Sequence, residues 1–315
     1  MDIGVLHLPR ASGHVLPATR RIAEEIHNLG HRPVLINYRR VGIDMTGDML
    51  RLHEIDKDGV IGEVLQPDVV ICRIGRYHEA GAQVVRAFEF SGTPVTAPAS
   101  AILTSKDKIA TKLALHHHSL ASPRSYALPG RLPGQIKPLL TRVEPLAKQP
   151  LIVKKSLGSH GRGVMLADTR KSAASVVEGM GEEPLLIEEF IEPTPGEFHS
   201  DKRLFVVGKH VVAAMRRTAR SSEEDDEFRA NLSLGGMGEK YLPSEDEVGG
   251  ALRAAACIGL AIAGVDTMTS SRGELYIEVN DNPELGIEQI SGINIARLMV
   301  AHAVWLAENT HHPLS

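Results

Sequence analysis

Residues 3–8 are rich in Ile, Val and Leu with little alternation, the pattern of a strand covered on both faces. After Pro17, the positions Ala18, Ile22, Ile26 and Leu29 recur at helical spacing, and Gly30 stands where a helix-ending glycine belongs. Residues 33–38 (PVLINY) and 68–75 (DVVICRIG) read as further strands, 79–90 as a helix, and 93–98 (TPVTAP) closes the region. Alternation of strand and helix in this order predicts a parallel α/β unit. The stretch 41–62 is ambiguous, with a short helix as one reading.

From Ser105 the pattern changes. SKDKIATKLALHHHSL predicts one helix, with Ser105 near its N-cap and Ile109, Leu113 and Leu120 inside. LLTRVEPL predicts a short helix. Three strands are expected next: 150–158 (PLIVKKSLG), its returning partner 163–168 (GVMLAD), and 184–191 (PLLIEEFI). DKRLFVVGKHVVAAMRRTA reads as a hairpin turning near Gly208–Lys209, and Leu252 to Ala263 as a buried core helix. There is no internal repeat, and the pattern divides the chain into lobes at 1–103, 104–184 and 185–315.

At 315 residues the chain can bury roughly 75% of its unfolded surface without a disulfide staple. Hydrophobic residues at 43% and charged residues at 23% exclude a disordered, collagen-like or coiled-coil chain. Aromatics are only 4%, so the core must rest on aliphatic side chains. A net charge of −4 does not mark a nucleic-acid binder, although a local basic cleft for an anionic ligand stays open. Cys72 and Cys257 are isolated and form no CxxC pair, which fits a reducing cytoplasm and core thiols without a zinc site. No signal-peptide pattern opens the sequence, and no run reaches the ~18 apolar residues of a membrane span, so no membrane partner is expected. His116, His117 and His118 are consecutive, hence point to different faces of a helix and read as a solvated end. The acidic run 223–227 reads as a solvated loop.

Three features carry chemistry. The loop Gly158-Ser159-His160-Gly161-Arg162-Gly163 follows Lys154 by four residues and lies between two strands. Its glycines would let backbone N–H groups approach phosphate oxygens, and a tight structural turn would explain them equally well. The spacing fits neither GxxxxGK[ST] nor GxGxxG. Second, LYIEVN alternates, so Glu278 and Asn280 share a strand face. A turn centred on residue 272 sets Asp266 opposite Glu278, where three hard oxygen donors suited to Mg²⁺ converge. The alternative is a polar strand face turned to solvent. Third, Lys108, Lys154, Arg203, Arg217 and Arg229 could neutralise phosphate.

The order of these features resembles the RimK-type carboxylate–amine ligases of the ATP-grasp superfamily. The resemblance is carried by SKDKIATKLAL, VKKSLGSHGRGV, LLIEEFIE, DKRLFVVGKHVVAAMRR with FRANLSLGG, and GVDTMTSSRGELYIEVNDNPELGIE with SGINIA. It implies an α/β (α+β) ATP-grasp fold: a Rossmann-like pre-ATP-grasp lobe, a central lid lobe, and a C-terminal ATP-grasp lobe. Lys108 and Lys154 would contact ATP, with Gly158, Ser159, His160, Gly161 and Gly163 as its glycine loop. Glu188, Glu189, Phe190 and Ile191 would form the adenine-contacting strand, and Asp201 would lie near the ribose. Arg203, Arg217 and Arg229 would serve catalysis, Arg229 with Asn231 at the phosphates. Asp266, Glu278 and Asn280 would hold Mg²⁺ or Mn²⁺, as two ions. The partners implied are ATP, an amino acid donor such as L-glutamate, a carboxylate acceptor on a small molecule or protein C-terminus, and a second copy of the chain. A glutathione-synthetase-like peptide ligase and a non-catalytic ATP-binding regulator are the alternatives. The chain departs from its relatives at Asn280-Asp281-Asn282-Pro283-Glu284-Leu285-Gly286, where they often carry an NxSPGLEGIE-like run on the acceptor side, and Arg216 stands where an acidic residue is expected.

Overall fold

The computed structural model describes residues 1–130, 136–142, 150–158, 163–192, 199–219, 221–222, 225–226 and 237–310. The first lobe opens with β1 (Asp2–His7), buried from Ile3 onward as a strand covered on both faces must be. Helix α1 (Pro17–Asn28) starts with a proline, whose missing N–H costs nothing in a first turn. Strand β2 (Arg32–Asn37) then returns parallel to β1.

The ambiguous stretch 41–62 contains no helix. It folds as β3 (Val41–Asp44), β4 (Arg51–Ile55) and β5 (Ile61–Val64), an antiparallel sheet in that order. Its second turn is an Asp-Gly pair: Gly59 adopts φ +81°, and the Asp56 carboxylate accepts from the N–H groups of Asp58 and Val60. Strand β6 (Val69–Cys72) joins the other edge of β1, giving the parallel order β2-β1-β6, and α2 (His78–Phe90) follows. The 93–98 segment adds a single parallel bridge between Val70 and Val95.

The single helix expected after Ser105 is two helices, α3 (Ala99–Lys106) and α4 (Lys108–His117). Asp107 breaks them: its backbone is extended, and its carboxylate accepts from the N–H groups of Ile109 and Ala110. Asp107 is therefore the N-cap, and Ser105 sits in the preceding helix. Leu115 is the fully buried leucine of α4, whereas Leu113 faces outward and Leu120 lies beyond the helix.

The central lobe contains β7 (Ser125–Leu128), α5 (Ile136–Arg142), β8 (Leu151–Lys155), β9 (Val164–Ala167), α6 (Arg170–Gly179) and β10 (Leu185–Glu189). The strands form an antiparallel sheet of order β7-β10-β8-β9 over a core of its own, including Leu140, Val153, Val177 and Ile187. Because β10 pairs with β7 and β8, this sheet runs past the boundary expected at 184/185.

The C-terminal lobe contains β11 (Ser200–Val207), β12 (His210–Thr218), the short pair β13 (Ser221–Ser222) and β14 (Asp225–Asp226), β15 (Met237–Lys240), α7 (Glu245–Ile258), β16 (Ile262–Ser270), β17 (Gly273–Asn280), α8 (Ile287–Ser291) and α9 (Ile295–Thr310). The sheet order is β15-β12-β11-β16-β17, antiparallel throughout. The β11–β12 hairpin turns at Gly208–Lys209, where the sequence places it. The core helix expected over Leu252 to Ala263 is displaced. Ser244 and Glu247 form a capping box that starts it earlier, Gly259 at φ +87° ends it, and Ile262 and Ala263 belong to β16.

Two apolar clusters join this lobe to the first. One unites Leu6, Val70 and Phe88 with Leu204, Ala254 and Val265; the other unites Ile3, Val5 and Ile22 with Phe205, Ile295 and Met299. Among the described residues no helix is long and apolar enough to cross a membrane.

Candidate active site

Four adjacent strands bring charged residues onto one face of the C-terminal sheet. Asp201 pairs with Arg217 across β11–β12, Arg203 with Asp266 across β11–β16, and Asp266 with Glu278 across β16–β17. The Asp266–Glu278 pairing is the one expected, but its cause differs. The turn residues are Ser271 and Arg272, half a residue before the expected centre, and a bulge between Asp266 and Thr267 restores the register at Asp266. Gly264 faces Asn280 in the same ladder, so Glu278 and Asn280 lie together beside Asp266.

Asp266 is the hub. Arg203 grips its carboxylate with two hydrogen bonds of 2.7 and 2.6 Å, and an Arg217 guanidinium nitrogen lies 3.0 Å from Oδ2. Arg217 grips Asp201 in the same bidentate way, at 2.6 Å twice. Asp266 and Arg217 are only 4% and 2% exposed, so these charges must balance one another locally. Burial opposes ionisation of Asp266, yet Arg203 and Arg217 outweigh it and hold the carboxyl below its ordinary range. For Asp201 burial wins, reinforced by the Asp266 charge and resisted by Arg217, and its carboxyl is pushed up.

The donor set fits a magnesium ion. Asn280 Nδ2 donates to Asp266 Oδ2 at 3.4 Å and Glu278 is the register partner of Asp266, so two carboxylates and an amide, residue types suited to magnesium, share one end of the β16–β17 ladder. Asp266 Oδ2 is crowded by three nitrogens, whereas among the described residues Oδ1 receives only Arg203 Nε. An ionised carboxylate oxygen accepts about two hydrogen bonds, so Oδ1 keeps one free lone pair.

A second constellation lies on the central sheet. Glu188, on β10, is 1% exposed and stands between two lysines: Lys112 Nζ lies 2.9 Å from Oε1, and Lys154, on β8, pairs with Oε2. Burial opposes its charge, but Lys112 and Lys154 prevail and draw its pKa down to about 2. Lys112 was not among the sequence candidates. Its signal was its position, one turn after Lys108 on the same helix face. Lys108 Nζ donates to the Gly158 carbonyl at 2.8 Å, tying α4 to the start of the glycine loop. Burial lowers the Lys108 pKa, while Glu278 pulls it back up and Lys154 pushes it down, which links the two constellations electrostatically.

Comparison with known proteins settles the relationship. Residues 105–303 match the RimK-like ATP-grasp domain, and residues 1–102 match the RimK PreATP-grasp domain. The chain belongs to the RimK-type ATP-grasp family. A protein of Xanthomonas campestris pv. campestris (strain B100) named "Probable alpha-L-glutamate ligase" is 36% identical over 298 residues, covering 91% of this chain and 94% of its own. A Cellvibrio japonicus protein of the same name is 36% identical over 293 residues, covering 91% of each. Among solved structures, the RimK domain protein ATP-grasp of Sphaerobacter thermophilus superposes with TM-score 0.71 at 17% identity, over 96% of this chain and 100% of that one. The D-alanine-D-alanine ligase of Coxiella burnetii gives 0.66 at 14%, over 98% and 96%. These likenesses establish the ATP-grasp fold, and the chain is a carbon–nitrogen ligase of this RimK-type family.

The RimK-type assignment orders the remaining candidates. Gly158 and Gly163 flank the glycine loop, and Ser159, His160 and Gly161 lie outside the described residues, as do Arg229 and Asn231. Glu189 ends β10, where Arg124 N–H donates to it at 2.7 Å and Arg272 pairs with it; Phe190 and Ile191 follow beyond the strand. The segment that departs from the family pattern is held firmly: Asp281 receives Lys106 at 2.5 Å and Ser105 Oγ at 3.0 Å.

Proposed function

We propose that this RimK-type ligase activates a carboxylate as an acyl phosphate at the expense of ATP and joins it to an amino acid, with L-glutamate the favoured donor. The reading is carried by one observation: Arg203, Arg217, Asp266, Glu278 and Asn280 share a single sheet face. The names of the curated relatives support glutamate as the amino acid.

In the first step a carboxylate oxygen attacks the γ-phosphorus of ATP and ADP leaves. In the second the amine attacks the acyl carbon, phosphate leaves with the C–O bond electrons, and the amine sheds a proton. Asp266, Glu278 and Asn280 would hold magnesium, which would supply charge neutralisation at the phosphate oxygens. Positioning and charge do most of the work in such a transfer. Lys108 and Lys154 serve as the nucleotide-side cations, with Lys112 and Glu188 fixing Lys154 in place. Arg203 and Arg217 are aligned by carboxylates before any substrate arrives, so little reorganisation is needed when anionic groups enter. Two ions and cytoplasmic residence belong to the same proposal.

The test is ADP release by purified protein with Mg-ATP across pairs of amino acids and carboxylates, with products read by mass spectrometry. ADP together with a product heavier by one amino-acid residue is expected. ATP binding without ADP release for any pair would instead favour a nucleotide-binding regulator.

A further inference from the structure

Outside the two constellations, the least expected charge in the molecule is Arg73. It follows β6 directly, is 5% exposed, and its Nη1 donates to the Pro283 carbonyl at 2.9 Å, a contact spanning 210 residues of sequence. Its Nε is buried and has no hydrogen-bond partner among the described residues. Asp281 and Glu284 act on it through space.

We propose that Arg73 is a positioning residue for ligation: from the first lobe it holds the 281–284 segment, and through it the Asn280 end of β17, in the geometry that the carboxylate substrate meets. This rests on the ligase reading above. Three observations carry it. First, the segment is fixed from several sides at two of its residues, Asp281 and Pro283. Arg73 takes Pro283, while Lys106 and Ser105 take Asp281, the residue immediately after Asn280. Second, Pro283 packs into a space that only glycine leaves. A Cβ on Gly264, the register partner of Asn280, would lie 2.9 Å from Pro283 Cβ and 3.5 Å from Arg203 Nε. A shift of Pro283 is thereby transmitted to Asn280 and to the Arg203–Asp266 pair. Third, the guanidinium is an expensive choice for a brace. A buried charge carries a desolvation penalty, and an apolar side chain of similar volume often stabilises such a position as well or better. Holding a backbone carbonyl at a fixed place in the reacting lobe is what the charge adds.

The chemistry also suits the position. Arg73 stands beyond the carboxyl end of the parallel sheet β2-β1-β6, the end where ligands bind in open α/β sheets. His7, the last residue of β1, is 5% exposed and carries a buried Nδ1 with no hydrogen-bond partner among the described residues. The carboxyl end of this sheet therefore carries two buried polar side chains, Arg73 and His7, the first of them bonded to Pro283.

The test uses Arg73→Met, which keeps volume and removes the donors, and Arg73→Lys, which keeps the charge without the fork. Each full-length variant is measured for thermal midpoint, hydrogen exchange over 279–286, and kcat and KM for the carboxylate substrate and for ATP. The expected result for Arg73→Met is an unchanged midpoint, an unchanged KM for ATP, exchange in 279–286 faster by about tenfold, and kcat/KM for the carboxylate lower by about 10–100-fold, since small misplacements near a reacting group are costly. Arg73→Lys should fall between Arg73→Met and wild type. Wild-type exchange and wild-type kcat/KM in Arg73→Met would overturn the proposal. So would a lower midpoint with ATP and carboxylate kinetics impaired alike, which marks a structural brace. Failure of the ligase reading shows separately, as wild-type protein that releases no ADP with any substrate pair; the exchange measurement then decides alone whether Arg73 holds the segment.

Discussion

Arg203 and Asp266 are register partners on β11 and β16, and guanidinium meets carboxylate through two parallel hydrogen bonds of 2.7 and 2.6 Å. Arg217 reaches the same carboxylate from β12. Asp266 is the counter-charge for two arginines, and in the proposed site it is also a metal donor, the one role proposed for Glu278. Glu278→Ala is expected to keep the fold and lose ~10²–10³ in Mg-ATP-dependent ADP release. Asp266→Ala should lose ADP release and also about 3–5 kcal/mol of stability, because two buried arginines lose their partner. ADP assays with urea denaturation separate the effects. Wild-type turnover in Glu278→Ala would remove it from the metal site.

Lys112 and Glu188 offer a second measurement. Removing Lys112 leaves Glu188 buried with Lys154 as its remaining ion-pair partner, so Lys112→Ala should cost about 3–5 kcal/mol. The double variant Lys112→Ala/Glu188→Ala should cost less than the sum of the single changes by at least ~1 kcal/mol. Additive costs in a double-mutant cycle would show that the pair does not couple.

Glu188 also sets an acid sensitivity. Its folded pKa of about 2 lies below the ordinary 4.5, so the unfolded chain binds the proton more readily. Its stabilising contribution is complete above pH 4.5 and is lost as pH falls toward about 2. Burial lowers the pKa of Lys112, while the Glu188 charge beside it pulls it back up. Glu188→Gln should flatten the dependence of unfolding free energy on pH between 4.5 and 2 relative to wild type. An identical slope in both proteins would contradict the assignment.

Gly250, inside α7, reverses the usual rule. Gly→Ala in a helix interior ordinarily stabilises by about 0.5–1 kcal/mol. Here a Cβ would lie 1.5 Å from Tyr276 Oη, so α7 or the β17 tyrosine must move. Gly250→Ala should instead destabilise by about 1–3 kcal/mol in chemical denaturation. A stabilised variant would mean that Tyr276 swings aside freely.

What the sequence made legible was local. Asp266 and Glu278 could be paired in advance because a short hairpin joins them, although the bulge that completes the register left no mark in the alternation. The Gly208–Lys209 turn was legible for the same reason. The Asp107 cap was misread because Ser105 is an equally good capping residue and only the packing of α3 excludes it. Over 41–62 the strands are too short for a period to emerge, although Asp58-Gly59 was a usable turn signal. The bidentate grip of Arg203 on Asp266 and the contact of Arg73 with Pro283 join residues 63 and 210 positions apart, which no local pattern encodes. Lys112 falls between: its helical spacing from Lys108 was visible, and its buried carboxylate was not.

The most direct test of carboxylate activation is the fate of its oxygen. The carboxylate substrate, labelled with ¹⁸O in both oxygens, is turned over with Mg-ATP and the amino acid, and the released phosphate is examined by mass spectrometry. An acyl phosphate predicts one labelled oxygen in each phosphate released, matched by one ADP and one amide. Unlabelled phosphate accompanying amide formation would contradict it.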